Sequence, residues 1–270
     1  MRRREFIALL GSVVTVPLGT RAQPAKRWRV AHVLVGGQEV VGHLAKTFEQ
    51  RLIELRQTPG QNLAVVNRFS APKDIEQVVR AALPDAAASE TYGKRLQILA
   101  EIVPNLIRVA VLITVGDRNV AFGMASIERA APQLGITLLP IDIRSAEDLP
   151  AAFEAMANEK AQALIVVSSA LAYTLTKRTA ELALEHRLPS CHPFRETVAA
   201  GGLVSLGPDV IEMARQGAAY VDKIISGASP SDLPVEQPSR YEMHLNLKTA
   251  TALGLSIPPT LLGRADKVIE

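Results

Sequence analysis

From residue 30 onward the chain alternates short apolar runs with segments of helical period. That rhythm limits what the chain can fold into. Residues 30–35 form a run of strand length, and in 40–55 Val41, Leu44, Phe48, Leu52 and Leu55 recur near the helical period. A second strand at 63–66 and a second helix at 74–83 follow, the helix ended by Pro84. Residues 86–91 are small and polar and carry no strand. From Tyr92 the pattern restarts, with a helix face of Leu96, Leu99, Ile102 and Val103 that stops at Pro104. Strands are then expected at 108–113, 136–141, 164–167, 188–192 and 203–206. Helices are expected at 120–134, 145–158, 170–186 and 210–225, with Ser145 as the cap of the second. After a Pro/Ser-rich connector at 227–237 come a strand at 241–245 and a helix at 247–253. Strands and helices in alternation pack as parallel sheets with helices on both faces. The fold class is therefore α/β, with right-handed crossovers.

The two halves of this pattern are unequal. Residues 29–83 supply two strand–helix units, whereas 92–226 supply five strands. Two parallel strands make a poor sheet, because so little of each face finds a partner. The first half is expected to borrow strands from the C-terminal segment, to dock on the larger sheet, or to stay weak.

Composition narrows the function. The 270 residues are 48% hydrophobic and 21% charged, which excludes a disordered, collagen-like or polytopic membrane protein. A single cysteine, Cys191, excludes an internal disulfide framework and a cysteine-rich zinc module. The net charge of +3 sits entirely in the first 22 residues, where Arg2, Arg3, Arg4 and Arg21 face only Glu5. The remainder is balanced, so without that segment nucleic-acid binding has no electrostatic basis. Residues 1–22 read as an export signal: a cationic start, an uncharged run from Phe6 to Thr20, and a small-residue cleavage site ending at Ala22. The run is shorter than the roughly 20 residues that span a bilayer. Arg3-Arg4-Glu5-Phe6 resembles a twin-arginine signal, with a general secretory signal as the alternative. Either route implies a periplasmic mature protein.

Patterns that would carry catalysis are missing. No G-x-G-x-x-G follows a strand, no phosphate-binding loop exists, and residues 202–207 lack the spacing of a nucleophile elbow. The five histidines show no metal-ligand spacing, so neither a metal site nor a cofactor is expected. Cys191 and His192 are adjacent, and neighbours on a strand point to opposite faces. What remains is positional. Loops at the C-terminal ends of parallel strands gather on one rim, where ligands of such sheets bind. Here those loops are 36–39, 114–119, 168–173, 193–196 and 207–209. The candidate ligand-binding residues on them are Gly37, Gln38, Thr114, Asp117, Ser168, Ser169, Tyr173, Glu196 and Gly207, with Ser205 just before. Such a rim suits a small polar or zwitterionic solute.

Four segments share the texture of one bacterial family: RREFIALLG, GKRLQILAEIVPNLIRVAVL, FRETVAAGGLVSLG, and the tail from GASPSDLPVEQ to RADKVIE. They resemble the ABC-transporter substrate-binding proteins of the tryptophan- and phenylalanine-binder type. The resemblance covers residues 1 to about 80 and 92 to 270. It implies a periplasmic-binding-protein-like fold of two Rossmann-like, parallel-sheet lobes, a solute clamped between them, delivery to an ABC permease, and no catalysis. Family members usually carry further first-lobe strands before the G-K-R-L helix. Here Leu83 passes almost directly to Tyr92, so the first lobe is truncated. The implied organisation is a signal at 1–22, a truncated first lobe at 23–91 and a second lobe at 92–227. A connector and C-terminal segment at 228–270 then return across the hinge. Two other readings compete: a decayed member that no longer binds, and an enzyme on a flavodoxin-like domain.

Overall fold

The computed structural model describes residues 28–35, 37–70, 86–117, 119–234, 238 and 240–270. The expected export signal with Arg3, Arg4, Phe6 and Ala22, residue 36, and the helix expected at 74–83 lie outside them.

Two parallel strands begin the described chain. β1 (Trp28–Val35) and β2 (Leu63–Ser70) pair from Trp28↔Leu63 to Val35↔Ser70. Between them runs α1 (Gln38–Glu54), whose buried stripe is Val41, Ala45, Phe48 and Leu52. The next helix, α2 (Ala86–Ile102), starts well before Tyr92, because alanines favour helix strongly enough to carry the small polar stretch with them. It ends at Ile102, just ahead of Pro104, and Asn105 turns the chain with φ 53°, a conformation asparagine tolerates.

The remaining strands form one sheet. These are β3 (Arg108–Thr114), β4 (Thr137–Ile143), β5 (Ala163–Val166), β6 (Ser190–His192), β7 (Val204–Pro208), β8 (Tyr241–Asn246) and β9 (Lys267–Ile269). Their order is β4-β3-β5-β6-β7-β8-β9, parallel throughout except between β7 and β8. Every residue of β5 is buried, as are Val109 to Ile113 of β3. Apolar residues on both faces are what a sheet covered on both sides requires. β4 lies at the edge, where Pro140 removes no ladder bond that the fold needs.

Helices α3 (Asn119–Ala130), α4 (Leu149–Asn158), α5 (Ala170–Thr174), α6 (Thr176–Glu185), α7 (Arg195–Ala199), α8 (Val210–Ile225), α9 (Leu247–Leu253) and α10 (Pro259–Leu262) complete the described chain. On one side of the sheet Leu96 and Leu99 of α2 and Ile127 of α3 pack against Val109, Val111 and Ile165. On the other, Phe153 and Met156 of α4 and Leu182 of α6 pack against Leu112, Leu164 and Val166. Several expected helices are interrupted. The one at 170–186 breaks at Leu175, and the one at 120–134 gives way to a 3₁₀ turn at Pro132–Leu134. Ser145 opens a 3₁₀ turn (Ala146–Asp148) ahead of α4, with Asp148 accepting from the Ser145 N–H at 3.0 Å.

The C-terminal strand does not complete the first sheet. β8 pairs with β7, so among the described residues the first sheet keeps two strands. The help comes from a helix instead. Ala218, Val221 and Ile225 of α8 pack with Trp28, Val30, Phe48, Leu52 and Leu63. Gln57 donates to Asp222 at 2.7 Å, tying the end of α1 to the same helix. By sequence order α8 falls in the second lobe; by packing it is the floor of the first.

Candidate functional site

The C-terminal ends of the two sheets meet. Leu34 at the end of β1, Phe69 at the end of β2, and Val41 and Ala45 of α1 share one apolar cluster with Leu112, Val166, Tyr173 and Phe194. A hydrogen bond of 3.2 Å between Tyr173 Oη and His43 Nε2 crosses from one lobe to the other. Burial raises the Tyr173 hydroxyl above its ordinary value, and the Glu196 charge adds to this while Arg195 opposes it. Tyr173 therefore stays a neutral phenol. Its ring meets Phe194 edge-on, with centroids 4.7 Å apart.

Around this junction the second lobe supplies a polar wall. Thr114, the last residue of β3, shares a 2.8 Å hydrogen bond with the Ser169 hydroxyl. Ser169 also caps α5, accepting from the Ala172 N–H at 2.9 Å. Ser168 donates its N–H to the Tyr92 hydroxyl at 3.1 Å. Asp117 accepts from the Asn119 N–H at 2.9 Å, so its carboxylate orders the start of α3. Gly207 lies within β7 rather than on the loop expected at 207–209, and is fixed by close approach: a Cβ there would lie 1.7 Å from the Pro193 carbonyl oxygen, so only glycine lets the strand touch the loop after β6.

On the first lobe, Gly37 caps α1 through its carbonyl, which accepts from Val40 and Val41. Gln38 is exposed beside it.

Glu196 sits in a charged cluster. Arg195 pairs with Glu242 at 2.8 Å, with Asp209 at 3.3 Å and with Glu196 at 3.8 Å. Burial lowers the Arg195 pKa, but Asp209, Glu242 and Glu196 outweigh it and hold the guanidinium above its ordinary value. Asp209 in turn caps α8, accepting from Ile211 and Glu212. A cavity of about 430 Å³ opens beside this cluster, lined by Arg195, Glu196, Arg240, Glu242, His244 and Lys267. It lies along the β8–β9 edge rather than between the lobes. Most of its charges compensate one another, Arg195 and Arg240 both pairing with Glu242.

Thr114, Ser168, Ser169 and Tyr173 are thus gathered on one stretch of rim, and Glu196 and Gly207 on the next. Ser205 is not on the rim. It is 1% exposed inside β7, paired in register with His192 and His244. Sequence reading left out His43, Arg195, Tyr92 and Arg95. The GKRL helix segment was the signal for the last two, but nothing in it told which face would reach the rim.

The adjacent Cys191 and His192 do not form a nucleophile–base pair. Cys191 belongs to the core facing α2, while His192 turns the other way and bonds Ser190 at 2.8 Å. Burial pushes the Cys191 thiol up to about 12 and His192 down to about 3. Among the described residues no group of three His, Cys, Asp or Glu side chains could hold a metal ion.

The comparisons agree with this architecture. A family model described as ABC transporter substrate binding protein matches residues 51–269. No curated protein matches the sequence. Among solved structures, a conserved domain protein from Vibrio cholerae O1 biovar El Tor is similar, with a TM-score of 0.80 at 19% identity. That match covers 90% of this chain and 100% of the other. An ABC domain in complex with L-Trp from Streptococcus pneumoniae gives 0.78 at 15% identity, again over 90% and 100%. A periplasmic ribose ABC transporter structure from Conexibacter woesei gives 0.55 at 9%, over 90% and 99%. At such identities the likeness is one of fold.

Proposed function

This chain belongs to the ABC transporter substrate-binding protein family, and from that premise we propose that it binds a small polar solute, an amino acid first of all, between its two lobes. The observation that carries this reading is the meeting of the two sheets' C-terminal ends across the Tyr173–His43 bond. Ligands of open parallel sheets bind at that end. Thr114, Ser168, Ser169, Tyr173, Glu196 and Gly207 form one wall, and Gly37 and Gln38 the other. Asp117 shapes the first of these loops, and Ser205 supports the wall from within β7. The solute is passed to an ABC permease from the periplasm, which the mature chain reaches through its cleaved signal.

A two-lobe binder works when the solute favours the closed arrangement through contacts to both lobes. Titration calorimetry of the mature chain against the standard L-amino acids tests this. Saturable heat with one of them, weakened by Ser169→Ala, is the expected result. Silence across the panel overturns it. Detecting the chain with residues 1–22 intact in the cytoplasm of its host would overturn the export reading.

A second reading has its own observation. Leu34, Val41 and Ala45 already occupy the junction with Tyr173 and Phe194, as they would in a decayed member that no longer binds. The same titration separates the two readings.

A further inference from the structure

Tyr92 and Arg95 stand three positions apart on α2 and are 2% and 1% exposed. One reaches the loop after β5, the other the middle of β7. The Tyr92 hydroxyl accepts from the Ser168 N–H at 3.1 Å, just after β5. Arg95 Nε donates to the Leu206 carbonyl at 2.7 Å, one residue before Gly207 on β7. The two side chains also hold each other: the guanidinium carbon lies 4.3 Å from the Tyr92 ring centroid. One turn of one helix thus grips the loop after β5 and the strand β7 that carries Gly207, and each grip stiffens the other.

Two observations set this apart from ordinary core packing. First, Arg95 Nη1 is buried without a hydrogen-bond partner among the described residues. Removing a guanidinium from water without full compensation is expensive, and a core built for stability alone is served better by an apolar side chain. Second, the path of the Tyr92 ring is cleared by a glycine. A Cβ on Gly123 would lie 3.1 Å from Tyr92 Cζ and 3.2 Å from Val167 Cγ1, so a larger residue would press the ring away from Ser168.

We infer that Tyr92 and Arg95 are positioning residues for the solute site. They fix the spacing between the loop after β5 and the Leu206–Gly207 stretch of β7, and so preset the second-lobe wall before any solute arrives. A preset wall raises affinity because less ordering remains to be done on binding. This inference rests on the reading of the rim as the solute site, and neither side chain touches the solute.

Tyr92→Phe is the sharpest test, since it keeps the stacked ring and removes only the hydroxyl. In the full chain its melting temperature should stay near that of the wild type. Amide exchange at Ser168 should quicken about tenfold, the usual scale for one lost hydrogen bond, while exchange at Val111 in β3 stays put. Affinity for whichever standard L-amino acid binds the wild type in calorimetry should fall about tenfold as well. Arg95→Lys keeps the charge but loses the directed Nε bond, and should weaken the same amino acid if Tyr92→Phe fails to fold. Unchanged exchange at Ser168, or an equal rise at Val111, overturns the positioning role. So does unchanged affinity in both variants when the wild type binds. If the wild type binds no amino acid, the solute reading fails, and the exchange at Ser168 still shows separately whether Tyr92 holds its loop.

Discussion

Among the described residues the larger sheet has seven strands and apolar layers on both faces; the smaller has two strands and one covered face. On that face Trp28, Val30, Leu63 and Val65 meet α1 and α8. On the opposite face Ala31, Ala64 and Val66 are exposed among the described residues, Val66 at 40%. The difference teaches where each lobe gets its stability. The second lobe is held by its own strands, whereas the first is held by a borrowed helix and by docking on its neighbour. A cluster whose buried members are Phe48, Leu52, Leu63 and Ala218 offers little apolar burial to offset the entropy of ordering two strands and a helix.

Truncating each core should break the comparison most visibly. Phe153→Ala removes a fully buried ring of the second lobe and should cost about 3–5 kcal/mol, lowering the main thermal transition. Leu52→Ala, at 0% exposure in the first lobe, should leave that transition nearly in place. It should instead abolish amide protection in β1 and β2 alone. A single shared loss in both variants would mean that the lobes form one cooperative unit.

Acid should come next. His192 is neutral when folded, with its pKa lowered to about 3 by burial and then by the Arg95 charge. An unfolded histidine takes up its proton near pH 6.5, so the unfolded state binds more protons between the two values. The resulting stability is complete above pH 6.5 and is lost as pH falls toward 3, at about 1.4 kcal/mol per unit. Urea titrations from pH 7 to 4 should show this slope, and His192→Gln should flatten it. His32 in the first lobe is also lowered, by partial burial against the help of Asn67 and Glu49. The sign is the same and the effect should be shallower.

The smallest effect belongs to the link between the lobes. Tyr173→Phe deletes the bond to His43 and should cost about 1 kcal/mol, read as easier proteolysis of the first lobe. If the first lobe is cut no faster, the apolar packing of Leu34 and Val41 and the contacts with α8 hold it in place without this bond.

Much of this was legible in the sequence. Strong periodicity gave α8 at 210–225 and nearly all of α1, and apolar runs gave β3 and β5. What periodicity cannot give is the partner of an apolar face. The stripe that includes Ala218, Val221 and Ile225 looks the same whether it packs on the nearer sheet or on one begun nearly two hundred residues earlier. Elements of three to five residues, such as β9 and α7, carry too few residues for any pattern to stand out. At the site, the loops were legible because they follow from strand order. The grips of Tyr92 and Arg95 were not, since a tyrosine and an arginine three apart on a helix say nothing about which carbonyl or amide they will meet.

The placement of α8 has a consequence in time. The first lobe is made early, yet residues 218–225 that floor it come from far along the chain. Contacts this distant in sequence form slowly and late. A chain emerging from the ribosome can assemble β3 to β7 while the N-terminal strands still wait for their floor. The lobe that is first in sequence is the last to be finished, and until then its strand edges are open to any other chain with an edge to offer.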